Sequence, residues 1–261
     1  MILSIIHSFQ SEWLKIKRSA ASWLVIIGGG FIPVIMLIAF FANLEKARQA
    51  YSSGKYWLSY NQQSWQFMAM FLLPMGVILA TSLITQLEYK NNAWKQLHTT
   101  PQRLSTIFFT KLAVIITMML QFFLFFNVGI YLSAIIPCLL FTDVLFPRES
   151  FPFTQILEYN AGFFVDCLPI IAFQYLVSLR FNNFLVSVGV GLALLVASMF
   201  AVQWQYGYTF PYTYCILNFL GKEAVNINDT IQTNIHLFGW IYFTVFTVAG
   251  YILYITKKEK G

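Results

Sequence analysis

Residues 23–42 read WLVIIGGGFIPVIMLIAFFA, a stretch without a charged side chain. An α-helix needs about 20 predominantly apolar residues to cross the hydrocarbon core of a bilayer. The rest of the chain has a similar character, because 58% of its 261 residues are hydrophobic and only 10% are charged. Soluble domains carry about 25% charged residues. The composition therefore predicts a membrane protein and excludes a cytosolic enzyme, a secreted disulfide scaffold and a disordered chain.

Six stretches, the first of which surrounds residues 23–42, are long and apolar enough to cross a membrane. The sequence predicts an all-α membrane protein with one transmembrane domain over residues 1–261. The six predicted spans lie at about 20–42, 64–87, 104–135, 159–179, 184–203 and 236–256.

The uncharged run 181–221 is too long for a single span, and its part 204–214 is rich in Tyr, Gly and Pro. Residues 211–220 are apolar but too few to cross a bilayer. They predict a re-entrant or interfacial element on the outer face, before the last span. An ordinary membrane-surface loop is the alternative.

Basic residues are sorted between the two sides of the predicted membrane domain. Eleven of the 16 Lys and Arg residues lie on the side of the two termini, and five lie on the other side. Because cytoplasmic flanks retain Lys and Arg, both termini are predicted to be cytoplasmic. The net charge of +6 is thus mainly a topology signal, with attraction to anionic lipid second, and no nucleic-acid partner is predicted.

The N-terminal residues 2–18 predict an amphipathic helix that lies in the membrane interface. Its apolar side chains recur at steps of three and four, which leaves Ser8 and other polar residues largely on the opposite side. The apolar set is Ile2, Ile5, Ile6, Phe9, Trp13 and Ile16. The functional set assigned to this helix is Glu12, Trp13, Lys15, Lys17 and Arg18. A plain extension of the first span is the alternative, and no signal peptide is expected.

Motifs for catalysis or cofactor binding are missing from the sequence. The Gly-Lys pairs at 54–55 and 221–222 are not followed by Ser or Thr, so no phosphate-binding loop is predicted. The three histidines fall in different predicted regions and the three cysteines are far apart, which argues against a metal site. We expect no catalytic residue and no bound cofactor. The glycines at 28–30 are interpreted as positions of close helix packing or of a bend.

Asp166 is the one ionisable residue well inside a predicted span. A carboxylate in that position costs about 2.5–3.5 kcal/mol on insertion scales, so it is expected to face a cavity or a polar partner. It is therefore a candidate intramembrane polar site. The alternative is a position close to the outer headgroups, since Asp166 follows the predicted start of its span by about two helical turns.

The connection 88–103 between the second and third predicted spans reads EYKNNAWKQLHTTPQR. Residues 91–97 predict a short cytoplasmic helix that ends before Pro101, because the residue before a proline avoids the α region. This helix would present Trp94 and Leu97. A large apolar pair with a charged fringe is typical of a protein-binding surface.

Two stretches, EWLKIKRS at 12–19 and the 88–103 connection, resemble those of permease subunits of type 2 ABC exporters. Within that class, the opening stretch and the length look most similar to lantibiotic-immunity and bacitracin-type permeases. Trp94 departs from the pattern, because many relatives carry a small residue or Gly-Thr at this place.

The resemblance implies a bacterial cytoplasmic-membrane protein that forms the translocation path for an amphipathic or hydrophobic cargo. It implies two ABC ATPase subunits that hold ATP and Mg, and a second permease copy or paralogue. Spans one, two and five would shift at the permease interface, and the element before the last span would cap the outward path. The residues assigned to ATPase coupling are Glu88, Asn92, Trp94, Lys95, Leu97, Thr100, Pro101 and Arg103.

Two other functions stay open at the level of sequence. A membrane enzyme acting on lipid or peptide would need acids, histidines or a nucleophile at one depth, and the sequence offers Asp166 alone. A non-transporting anchor or assembly factor would also carry a docking loop but would need no path for cargo.

Overall fold

The computed structural model describes residues 2–17, 19–52, 55–90, 103–142, 144, 146–181, 183–221 and 229–256. These residues form helices and connecting turns, and the described part of the chain contains no β-strand. The N-terminal helix α1 covers Ile2–Ile16. Six helices are long and apolar enough to cross a membrane, as predicted: span 1 Ala20–Ala42, span 2 Tyr56–Leu87, span 3 Leu104–Leu140, span 4 Phe153–Arg180, span 5 Phe184–Ala201 and span 6 Asn234–Thr256.

Several helices extend beyond the predicted apolar stretches. Span 2 begins at Tyr56 rather than near 64, span 4 begins at Phe153 rather than near 159, and span 3 ends at Leu140 rather than near 135. The helix of span 6 begins at Asp229, whereas span 5 ends at Ala201, slightly before the predicted 203. Hydropathy marks the apolar core of a helix, but backbone hydrogen bonds continue through the polar residues beyond it.

Span 4 lies at the centre of the bundle. Of its most apolar window, 72% of the residues are buried, against 33% in span 1, 22% in span 5 and 17% in span 6. Span 6 runs parallel to it, since Gly239 lies against Val165 and Gly250 lies against Leu176. A helix surrounded by protein can hold polar side chains that lipid would not tolerate.

Spans 1 and 3 pack closely through glycine. A Cβ at Gly29 would lie 2.8 Å from Cβ of Phe125, and one at Gly129 would lie 2.7 Å from Cγ of Pro33. The prediction of close packing is therefore confirmed for Gly29. Because 29 and 33 meet 125 and 129 in the same order, spans 1 and 3 run in the same direction and begin at the same end of the bundle.

Span 2 is interrupted near its middle by a π-helical turn over Met68–Leu72. Pro74 follows directly, and its ring removes a backbone donor and crowds the carbonyl of the residue four positions earlier. Such turns are typical sites of irregular helix geometry. The interruption separates the helices Tyr56–Phe67 and Leu73–Lys90.

The short helix Leu44–Tyr51 caps the end of the bundle opposite α1, and the sequence analysis did not predict it. The Tyr51 hydroxyl donates to the carbonyl of Ala134 at 2.7 Å. Burial raises the pKa of Tyr51, so its hydroxyl stays protonated as a donor. The ring of Tyr56 lies tilted against that of Tyr51, with ring centroids 4.1 Å apart, and this contact connects the short helix to the start of span 2.

Residues 207–220, called the broken segment here, lie between spans 5 and 6. They form two 3₁₀ turns, Gly207–Thr209 and Pro211–Thr213, and the helix Tyr214–Leu220. Tyr212 contacts Phe173 of span 4, whereas Asn218 lies beside Gly162, much earlier in that span. The segment therefore enters the bundle at Tyr212 and returns along span 4, with Tyr212 to Leu217 buried by protein.

Candidate functional site

One face of helix α1 packs against the bundle, and the basic residues at its C-terminal end are exposed. Ser8, Glu12 and Ile16 are buried, whereas Ile5 and Ile6 are nearly half exposed, so the expectation that Ser8 lies on the outer polar side is wrong. The buried face differs from the expected one because the partly buried aromatic residues Phe9 and Trp13 pack against the core.

A side-chain hydrogen bond connects α1 to span 1, and an ion pair lies within α1 itself. The hydroxyl of Ser22 in span 1 donates to the carbonyl of Ile16 at 2.8 Å. The ammonium group of Lys15 pairs with the Glu12 carboxylate. Lys15 and Lys17 are exposed, and Arg18 lies outside the described residues. The basic end of α1 is thus attached directly to the start of span 1.

Most of the residues assigned to ATPase coupling lie outside the described part of the chain. This holds for Asn92, Trp94, Lys95, Leu97, Thr100 and Pro101. Glu88 belongs to the last turn of the helix Leu73–Lys90, and Arg103 is exposed directly before span 3. Since spans 1 and 3 begin at the same end, the described flanks of the 88–103 connection lie at the α1 end of the bundle.

Asp166 is fully buried at the midpoint of the span 4 helix and meets a histidine from span 6. Nδ1 of His236 lies within hydrogen-bond distance of Oδ1 of Asp166, at 2.8 Å, and the tautomer of His236 sets which of the two groups donates. The His236 side chain is 44% exposed while that of Asp166 is fully enclosed. The polar partner expected for Asp166 is therefore present, although the sequence analysis had set His236 aside.

The broken segment closes over this pair. Asn218 lies beside the Asp166 carboxyl group, and a Cβ at Gly162 would lie 2.7 Å from the Asn218 amide nitrogen. Oδ2 of Asp166, the Tyr214 hydroxyl and the Asn218 amide nitrogen are all buried. The broken segment therefore places further polar groups around the Asp166 carboxyl group in the protein interior.

A second polar cluster, the Gln174 hub, joins spans 2, 4 and 5. The Gln174 amide donates to Ser82 at 3.0 Å and to the carbonyl of Ser187 at 2.8 Å. The Ser178 and Ser187 hydroxyls are 2.6 Å apart. From the broken segment, the Tyr212 hydroxyl donates to the Gln174 carbonyl at 3.4 Å. The hub thus connects the broken segment to three spans.

The described residues contain no group of three His, Cys, Asp or Glu side chains that could hold a metal ion. Cys167, next to Asp166, and Cys215 in the broken segment are fully buried. Neither thiol is open to a substrate in this arrangement.

Comparison with known proteins identifies a family for most of the chain. A family model described as "ABC-2 family transporter protein" matches residues 8–198, from α1 to the far part of span 5. Neither the curated proteins nor the solved structures returned a match. The chain therefore belongs to the ABC-2 family of transporter proteins, as the multi-pass membrane permease of an ABC transporter, a role that implies an ABC ATPase as its partner.

Proposed function

We propose that this permease is the path-forming subunit of an exporter that moves an amphipathic or hydrophobic cargo, such as a peptide antibiotic, a lipid or a drug. The family match over residues 8–198 carries the proposal, because it includes the second half of α1, the 88–103 connection and spans 1 to 4. The transporter would hold two permeases, identical or paralogous, and two ATPase subunits with ATP and Mg. It would lie in a bacterial cytoplasmic membrane with both termini in the cytoplasm.

The ATPase would dock at the α1 end of the bundle. Arg103 and Lys17 are exposed and offer positive charge there, and the 88–103 connection supplies Trp94 and Leu97 as apolar anchors. In protein interfaces, a few apolar residues at the centre commonly contribute most of the binding free energy, and polar or charged residues surround them. The ATPase itself would carry out all the ATP chemistry.

Closure of the ATPase dimer on ATP would move the connection, and with it the ends of spans 2 and 3. Such coupling requires two discrete arrangements of the helices that bind the partner differently. The Gln174 hub supports a route for the motion, since it joins span 2 to span 5 and to the broken segment. The broken segment would cap the outward path between two permeases.

The decisive experiment reconstitutes the permease with its ATPase and replaces Trp94 and Leu97 by Ala. We expect loss of ATPase stimulation and of complex yield, because the two anchors are removed. The matched control replaces Trp204 and Leu139, which are 58% and 79% exposed at the opposite end, and it should keep both. Full stimulation and yield in the Trp94 and Leu97 variant would refute the docking role.

ATP-dependent efflux separates an exporter from a non-transporting assembly factor. Inside-out vesicles that hold the permease and its ATPase should accumulate a fluorescent hydrophobic peptide or lipid only with ATP. A stable, ATPase-stimulating complex that moves none of the probes would instead favour the assembly role.

A further inference from the structure

An apolar cavity of about 640 Å³ lies between spans 1 and 2 and is backed by Phe122 of span 3. Its lining extends from Ala20 to Phe31 along span 1, and from Phe71 to Leu79 along span 2. Four rim side chains are about half exposed or more: Trp23 60%, Ile27 62%, Phe31 53% and Phe71 49%. The cavity therefore opens sideways, toward the region that lipid occupies.

Two glycines in the lining keep this space open. A Cβ at Gly76 would meet no heavy atom within 4 Å, and one at Gly28 would lie 3.4 Å from the Phe122 ring. A larger side chain at residue 76 would project into empty volume. A single substitution at residue 76 would therefore occupy part of the cavity.

Along the axis of span 1, the cavity is about as long as one leaflet is thick. From Ala20 to Phe31 the helix of span 1 rises by about 16 Å at 1.5 Å per residue, whereas the whole hydrocarbon core of a bilayer is about 30 Å thick. Its volume also falls in the range of small-molecule sites, about 300–1,000 Å³. A site of this depth and lining fits an acyl chain that enters from one leaflet.

Positive charge stands at the mouth of the cavity. Lys17 is exposed three residues before Ala20, the first lining residue, whereas the charge of Lys15, two residues earlier, is offset by its ion pair with Glu12. None of the described lining residues carries a charge, so a charged ligand group must remain at the mouth. Basic residues at a membrane surface attract anionic headgroups, and Trp23 is a residue typical of the interface.

We propose that the cavity between spans 1 and 2 binds an acyl chain of an anionic phospholipid from the leaflet at the α1 end, with its headgroup near Lys17. The site goes beyond the transport role and does not depend on the ATPase. The bound lipid would occupy the open volume beside Gly76, about one turn after the π-helical turn Met68–Leu72 of span 2.

The test uses the full chain in nanodiscs that contain phosphatidylglycerol with a photoreactive group on one acyl chain, or phosphatidylcholine with the same group. Mass spectrometry then maps the labelled peptides. We expect label concentrated in peptides over 20–31 and 71–79, relative to the exposed face of span 6, and more label from phosphatidylglycerol. Lys17→Gln should reduce that headgroup preference.

Gly76→Leu should lower the cavity label by about tenfold, the equivalent of about two buried CH₂ groups. The matched control is Gly189→Leu, because residue 189 also has no heavy atom within 4 Å of a Cβ but lies on span 5. This control should label like the wild type. The wild-type map requires no variant and decides the question even where Gly76→Leu fails to fold.

Three results would overturn the proposal. One is label spread evenly over all lipid-facing spans, or unchanged by Gly76→Leu. Another is equal labelling by the two phospholipids, which would show that the anionic headgroup does not contribute to binding. The third is an unlabelled cavity together with disulfide cross-linking of Ile27→Cys between two chains, which would show a second copy seated there.

Discussion

The side-chain amide of Gln174 reaches both oxygens of Ser187, at 2.8 Å from the backbone carbonyl and 3.0 Å from the hydroxyl. Gln174 belongs to span 4 and Ser187 to the first turn of span 5. Both side chains are buried. The pair therefore fixes span 5 against the most buried span of the bundle, at the place where Tyr212 of the broken segment also arrives.

Gln174→Leu removes the hydrogen bonds of this hub and places an apolar side chain of similar size at residue 174. We expect a loss of about 1–3 kcal/mol in stability, because the buried Tyr212 hydroxyl loses its acceptor and the Ser187 carbonyl loses a donor. The Ser82 and Ser187 hydroxyls remain bonded to each other. Thermal unfolding of the detergent-solubilised protein measures the effect as a lower midpoint.

The control for this variant is Gln66→Leu, since Gln66 is exposed on span 2. That change should leave the unfolding midpoint close to the wild-type value. Equal midpoints for the two variants would show that the hydrogen bonds of the hub contribute little.

Gly191→Ala tests the close approach of spans 2 and 5. A Cβ at residue 191 would lie 2.6 Å from Cγ2 of Ile78 and 2.7 Å from the Gln174 carbonyl oxygen. Overpacking of this kind costs about 1–3 kcal/mol. Gly189→Ala is the control, because a Cβ there meets open space. A midpoint for Gly191→Ala at or above that of Gly189→Ala would mean that the two spans separate without cost.

The positions of the six spans could be predicted because apolar length is a local property of the sequence. The helix ends could not be predicted from hydropathy in the same way. Tyr56, Trp57 and Asn61 precede the apolar stretch of span 2, yet they are buried at the far end of the bundle. Their burial depends on neighbouring helices, so a scan along the chain counts them as loop.

The polar sites show the same limit. Asp166 stands out in the sequence as a lone charge, but its partner His236 depends on how spans 4 and 6 align. Gln174, Ser82 and Ser187 interrupt apolar runs only weakly, although uncharged polar side chains in spans tend to hydrogen-bond across helices. That tendency is the signal that could have marked the hub in advance.

The proposed orientation predicts which side of the membrane each connection faces. Ser52 and Arg103 are exposed at opposite ends of the bundle. In intact cells, a membrane-impermeant maleimide should label Ser52→Cys, and it should label Arg103→Cys only after permeabilisation. The wild-type chain gives the baseline, since its cysteines are buried or half-buried. The reverse pattern would place the termini outside.

The contact between Asp166 and His236 predicts a measurable coupling between spans 4 and 6. In a double-mutant cycle with Asp166→Ala and His236→Ala, contacting residues are expected to show about 0.5–3 kcal/mol of interaction energy. Asp166→Asn should retain most of the stability, because an amide still offers an oxygen to the His236 N–H. The unfolding midpoints of the wild type, the two single variants and the double variant give the four values of the cycle.

The matched control combines His236→Ala with Glu45→Ala, a carboxylate exposed on the short helix Leu44–Tyr51, and it should be additive. An additive Asp166 cycle would mean that the contact does not stabilise the packing of spans 4 and 6. The Asp166→Asn protein also tests the enzyme alternative. If ATP-driven transport and any lipid or peptide turnover are unchanged in this protein, no residue of the chain supports catalysis any longer. Asp166 then remains a structural link between spans 4 and 6.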